Sequence, residues 1–492
     1  MLMRVGTYGF NPQSLGDIPA LPASRLVRAT NELFRRTDDG RIKDLLYTLE
    51  GLVSELGPFQ SSRPHDVIYA VLGLSSDVKP QKLLRLRGMS ELEQAATKLK
   101  RNMQVFMMVG GAKLDEFPVD YDKPALEVFK IFMKIAVQRS DSLDIMCRPW
   151  APDRELDEDT SQWKQIPLPS WIPKLSKQPF ERQKNGKMLR KNPDILVGDP
   201  VIGRKTYNAS GSEKMFYFID LSNDRPPTMK VDGFILGKID SLYESAQFGN
   251  VPASWLEAGG WVDDTDLPQE SLWRTMVADR GPNGSNPPRW YPRAFAYGAK
   301  ELGVSCGFNI HTLIHHTQCS IVAELFRRVY SVIFNRRLFT AVWRGMQAIG
   351  LAPLQAQKGD LICILYGCSV PVCIRPKRSR KRQKRGTDAD PTDNVPRTPQ
   401  NNKRKRTTLS SGPPFRFSGI EGSPEQLTFD DSQTVQHSGV EDNVNPVQET
   451  RSEGVLSEYE FIGECYVHEF MDGNAIEIKK RHNLPKQRFI LV

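Results

Sequence analysis

Apolar positions recur at helical spacing through much of the first 140 residues. Two such patterns, around Ala23 to Arg36 and Arg41 to Leu56, are separated by the turn signal Asp38-Asp39-Gly40, and Gly57-Pro58 ends the second. In SSRPHDVIYAVLGLSSD, Pro64 suits the first helical position and Asp66 complements the positive helix end. Val67, Ile68, Val71 and Leu72 form an apolar face there, and Gly73 suits the C-cap. A further helical stretch spans Glu91 to Met108, ending at Gly110-Gly111, and FPVDYDKP introduces another from Pro124. In that last helix Glu127, Lys130, Lys134 and Gln138 make one polar stripe, while Leu126, Phe129, Phe132, Met133 and Ala136 face the other way and are expected to pack on the earlier helices.

The texture changes at Pro149. Trp150, an acidic patch from Asp153 to Asp159 and the proline-bounded LPSWIP (Leu168 to Pro173) read as an interdomain connection, and Lys177 to Pro193 as a polar linker. Tyr207 to Gly211 reads as a turn. Met215 to Leu221 and Met229 to Ile239 alternate as strands do, with Arg225-Pro226-Pro227 between them. After Asn250 the chain reads as helical and aromatic (Trp255, Trp273, Trp290, Trp343), and Thr317 to Arg336 as a long helix burying Ile321, Leu325, Val329, Val332 and Ile333. Lys358 to Arg375 and Tyr459 to Gly473 read as parts of one small β-unit, although a long polar stretch separates them.

These elements predict an α+β protein. A helical region (1–176) is followed by a mixed region (177–376), a disordered basic and polar insert (377–457) and C-terminal strands (458–492) that complete a small antiparallel sheet or barrel with an apolar, chemically inert lining. Low hydrophobicity and blocks of charge leave the insert too little burial to offset its ordering entropy.

The 492 residues carry a net charge of +9. Twelve basic side chains against three Asp between Lys377 and Arg406 account for all of it, so a basic surface spread over the fold is not implied. The clusters are Lys377, Arg378, Arg380, Lys381, Arg382, Lys384 and Arg385, then Lys403, Arg404, Lys405 and Arg406. They suit an import receptor that reads extended basic peptides; they equally suit phosphate contacts in RNA or DNA, and a solvated insertion without function is the third reading. The N-terminus has no apolar run of the signal-peptide kind, and the longest uncharged apolar run, Leu361 to Ile374, is shorter than a membrane span. Seven Cys, an odd number, favour free thiols in a reducing compartment, which places the chain in the cytoplasm or nucleus.

Chemistry-bearing groupings are few. His311, His315 and Cys319 lie on one helical face, with His316 beside them, but no Cys-x-x-Cys pair completes a zinc set. Cys363, Cys368 and Cys373 converge only if the chain turns near Gly367, and burial in the core is their simpler reading. Ser369 sits in a weak nucleophile-elbow pattern in which Pro371 stands where Gly is required. Glu464, His468 and Asp472 are spaced four apart, yet the strand-like Phe461 to Val467 argues against a shared helical face. Phosphate-loop, dinucleotide and His-Glu-x-x-His patterns are absent. The expectation is therefore no catalytic, cofactor-binding or metal-ligating residue, and no cofactor.

Taken in order, RPHDVIYAVLGLSSD, FPVDYDKP, LPSWIP, TYNASG, VDGFILGKI, SLWRTMVADR, KGDLICILYGCSVPVCIRP and YEFIGECYVHEFMDG resemble the fungal heterokaryon incompatibility family from about Ser61 to Gly473, minus the insert. Members of that family usually begin with Leu-Ser-Tyr-x-Trp-Gly, Trp-Ile-Asp-Ala-x-Cys-Ile-Asn-Gln and Trp-Thr-x-Gln-Glu elements, in a region that resembles TIR-type signalling domains; none occurs here. The resemblance implies a non-enzymatic protein of self/non-self recognition, or of its regulation, that acts through unidentified protein partners and without a membrane. The alternatives are a nuclear nucleic-acid binder that uses the insert, and a fragment of a TIR-like, NAD-consuming death effector.

Overall fold

The computed structural model describes residues 24, 26–27, 31–57, 61, 63–81, 116–157, 160–183, 188–201, 205–222, 226–261, 267–281, 284–302, 307–343, 346–377 and 457–492. All belong to one compact unit formed from 1–379 and 456–492; residues 380–455 group separately and lie outside the described residues, as does the helix expected at Glu91 to Met108.

The unit is α+β and is organised by a nine-stranded, mainly antiparallel sheet. Its strands are β1 Tyr217–Ile219, β2 Met229–Ser245, β3 Arg337–Trp343, β4 Met346–Ala352, β5 Leu361–Leu365, β6 Val372–Pro376, β7 Glu458–Glu464, β8 Tyr466–Val467 and β9 Gln487–Leu491. They run in the order β5-β6-β7-β9-β2-β3-β4-β8, with β1 beside β2, and β7 and β9 are parallel. Because β5 also pairs with β2, five strands (β2, β5, β6, β7, β9) close into a ring. The sheet is mainly antiparallel, as expected, but larger than the small sheet or barrel expected from the sequence, with four further strands extending the ring.

The long strand β2 makes this possible. Gly233 faces Leu365 of β5 and Gln487 of β9, so the ring closes around a residue without a side chain. A Cβ placed there lies 2.3 Å from the Ile364 carbonyl oxygen, closer than the strands permit. Beyond Gly233, register shifts at Ile235/Gly237, Ile239/Ser241 and Leu242/Ser245 bend β2 away from β5 toward β3.

Side chains alternate between two apolar clusters. Phe234, Leu236, Ile362, Ile364, Cys373 and Ile462 fill one. Val231, Cys363, Leu365, Val372, Ile374, Phe461 and Phe489 face a larger one shared with the helices Ala125–Ser140, Glu270–Met276 and Ser320–Ile333. The strands before and after the basic tract are direct neighbours: Ile374 faces Phe461, Pro376 faces Tyr459, and Lys377 N–H donates to Glu458 O at 2.8 Å.

Several expectations are corrected. The N-terminal region is not mainly helical where described: Phe34–Arg36 and Ile42–Leu45 pair as a hairpin across Asp38-Asp39-Gly40, and only Leu49–Leu56 remains of the second helix, capped by the Thr48 hydroxyl. Asp-Gly between short amphipathic runs is a hairpin signal, and it prevails over helical spacing here. Asp66–Tyr69 is a single turn followed by a 3₁₀ turn at Leu72–Leu74, so Gly73 lies inside a turn rather than capping a helix. In Ala125–Ser140, Lys130 and Lys134 are buried rather than solvated, and the Lys130 ammonium donates to the carbonyls of Leu221 and Ser222. LPSWIP is part of the core: Trp171 is fully buried, and Ser170 ties Val492 to Phe461. The expected linker 177–193 contains the hairpin Phe180–Arg182 with Met188–Arg190, and Ile321 is exposed.

Gly233→Ala is expected to abolish ring closure. Its thermal midpoint, measured by circular dichroism, should fall by about 3–5 °C, the shift that a loss of a few kcal/mol produces in a chain of this size.

Candidate functional site

The segments that carry the family resemblance are bonded to one another. In the first pair, His65 Nε2 lies 2.7 Å from Lys123 O, the Tyr69 hydroxyl 3.1 Å from Asp120 O, and the Tyr121 hydroxyl donates to Asp66 at 2.7 Å. Further along, Asn208 N–H donates to Met471 O and Ala209 N–H to Ser369 O, both at 2.9 Å, while the Tyr207 hydroxyl donates to Ala278 O. Arg280 joins three segments: its guanidinium donates to Thr206 O, forks onto both Asp472 oxygens at 2.8 and 2.7 Å, and lies 4.3 Å from the centre of the Tyr207 ring. With Nη2 shared between the two Asp472 oxygens and Nε on Thr206 O, a guanidinium held on an aromatic face ties the three segments together.

Asp472 of this junction lies at one end of an open groove of about 870 Å³. Glu270, Arg274 and Asp279 line one side, Thr340, Gln347 and Ile349 of β3 and β4 form the floor, and His468 to Asp472 line the other side. Arg274 pairs with Glu270 at 2.7 Å and with Asp279. Ala278, Asp279 and Glu469 adopt left-handed backbone conformations at φ of 51°, 49° and 69°, strain of a kind that clusters at functional sites. The His468 pKa is lowered, chiefly by burial, with Glu469 and Asp279 opposing the shift. Its Nδ1 lies 3.3 Å from the Tyr466 hydroxyl. No hydroxyl or thiol nucleophile bonds to this imidazole among the described residues other than that phenol, so the groove's evident chemistry is hydrogen bonding and charge.

The spacing Glu464, His468, Asp472 does not form one constellation. Glu464 belongs to a separate cavity of about 100 Å³ beside Cys147, Arg336 and Phe461. There Arg336, 2% exposed, donates to Glu464 at 2.7 Å, to Asp194 O at 2.8 Å and to Val332 O at 2.7 Å, and Glu464 also accepts from Leu196 N–H. Burial raises the Glu464 pKa and lowers that of Arg336, each against the pull of its partner. An ion pair therefore sits where the sequence reading expects an inert, apolar lining. Asp360 with Arg375, and Asp232 with Arg488 and Lys486, are further pairs anchored on buried carboxylates at the sheet.

A third hollow, of about 230 Å³, is lined by Glu50, Asp144 and Arg148, and burial raises the Glu50 pKa against the attraction of Arg148. Ser369 is fully buried with its N–H on Asp144, which removes it as an exposed nucleophile. Cys363, Cys368 and Cys373 are buried free thiols, and the chain does turn at Gly367, where φ is 93°. His311 packs on the Tyr330 ring at 4.6 Å, and no group of three or more His, Cys, Asp or Glu suited to a metal ion occurs among the described residues. Of the basic clusters only Lys377 is described, and it is exposed; Arg378, Arg380, Lys381, Arg382, Lys384, Arg385, Lys403, Arg404, Lys405 and Arg406 lie outside the described residues. No helix among the described residues is long and apolar enough to cross a membrane.

No protein-family model, curated protein or solved structure matches the chain.

Arg336→Met is expected to destabilise the fold by about 3–5 kcal/mol, because it leaves Glu464 buried and uncompensated. Adding Glu464→Gln should recover most of that loss in urea unfolding. Equal stability of Arg336→Met and the parent would show that the pair carries no such weight.

Proposed function

We propose that the chain is a heterokaryon-incompatibility-type protein, acting in fungal self/non-self recognition or its regulation through contacts with other proteins and without a reaction of its own. The supporting observation is the bonding between segments of the resemblance. Residues from TYNASG, SLWRTMVADR, KGDLICILYGCSVPVCIRP and YEFIGECYVHEFMDG meet around Arg280, although Thr206 and Asp472 stand far apart in sequence. A motif series that forms one bonded junction is a set of mutually dependent parts. Met471 and Asp472 of the junction also line the open groove, which suits recognition by hydrogen bonds and charge.

The reading is tested in hyphae. Strains that differ only in carrying this chain are allowed to fuse, and death or arrest of the fused compartments is expected. Arg280→Gln, which breaks the junction, should weaken that response. Normal heterokaryons in every pairing contradict the reading. Purified chain that binds RNA or DNA with steep salt dependence, lost when the two basic clusters are neutralised, favours the nuclear nucleic-acid alternative instead.

A further inference from the structure

The groove lined by Arg274 and His468 carries an unbalanced charge and an unused acceptor. Four carboxylates (Glu270, Asp279, Glu469, Asp472) line it beside one guanidinium, Arg274, while Arg280 holds Asp472 from outside the groove. The guanidiniums are committed to Glu270, Asp279 and Asp472, and Glu469, exposed on its left-handed backbone turn, pairs with no lysine or arginine among the described residues. On the groove floor Thr340 is 4% exposed, and its hydroxyl has no hydrogen-bond partner among the described residues. Burial keeps the His468 pKa low, so the imidazole adds no positive charge at neutral pH. Gln269, Gln347 and Asn474 supply further amide acceptors along the walls.

We propose that this groove binds an organic nitrogen cation, the guanidinium or ammonium group of a basic peptide side chain or of a free polyamine, with Glu469 as counter-charge and the Thr340 hydroxyl as an acceptor. A volume of about 870 Å³ accommodates a ligand of one to a few residues. The peptide form rests on the reading of the chain as an interaction protein. The polyamine form stands without it.

Calorimetric titration of the full chain at low salt tests this, using a blocked Gly-Arg-Gly tripeptide, its uncharged citrulline counterpart and spermidine as probes. Saturable binding of the tripeptide or of spermidine, with Kd below about 1 mM, is expected. The citrulline peptide should bind about 10-fold more weakly, as should the charged probe to Glu469→Gln. Thr340→Val, which keeps the side-chain shape, should weaken binding about 3-fold. Preference for the tripeptide assigns a peptide source, and preference for spermidine a free polyamine. Absence of binding by either charged probe, equal binding of the citrulline peptide, or unchanged affinity in both variants overturns the proposal. Failure of both probes beside a normal hyphal response leaves the incompatibility reading in place and removes only the cation site.

Discussion

Pairing of β6 with β7 is the constraint on which the remaining architecture depends. It joins chain segments that lie on either side of 80 residues, Lys377 being bonded to Glu458 across that span. Without it β5 and β9 have no connection on that side, the ring around Gly233 opens, and Phe461 and Ile374 lose their places in the core. The entropic demand is modest. Each doubling of loop length adds only about 0.6 kcal/mol, so an 80-residue connection, about 20 times longer than a four-residue turn, adds about 2.6 kcal/mol. Burying the apolar faces of Val372, Cys373, Ile374, Phe461 and Ile462 exceeds that at about 25 cal/mol per Å².

The ring in turn fixes polar groups that packing alone does not hold. Glu464 ends β7, and its carboxylate reaches Arg336, just ahead of β3, and Leu196 in an irregular segment. Immediately after β8 the chain enters the strained turn at Glu469 and reaches Asp472, where Arg280 holds it. Small cavity and open groove are thus set by the same short stretch of chain, the former by an internally satisfied ion pair and the latter by carboxylates in excess. That difference separates a structural use of charge from a surface able to accept a ligand.

Part of the β-architecture was legible because β5 and β6 are short, almost wholly buried apolar runs on either side of the turn at Gly367, whereas the β3–β4 hairpin was not, its Trp343 reading as part of a helical stretch. The N-terminal hairpin was not, since Phe34 to Arg36 and Ile42 to Leu45 are too short to distinguish the two periods. Buried Lys130 and Lys134 escaped detection for another reason: a helical stripe of cations looks solvated unless the acceptors, here carbonyls some 90 residues away, are known. The groove was read only in part. His468 and Asp472 stood out by spacing, whereas Arg280, Glu469 and Thr340 carry no local signal and acquire meaning from partners brought together by the sheet. The strand-like Phe461 to Val467 argued for keeping Glu464 apart from His468 and Asp472, but its partner Arg336 carries no local signal.

Cleavage within residues 380–455 by a brief protease treatment, followed by gel filtration and thermal melting of the product, tests the closure most directly. Ring closure across the tract predicts that the two fragments co-elute as one particle with a melting midpoint close to that of the uncut chain. Separation of the C-terminal fragment, or loss of the cooperative melt on cleavage, would contradict it.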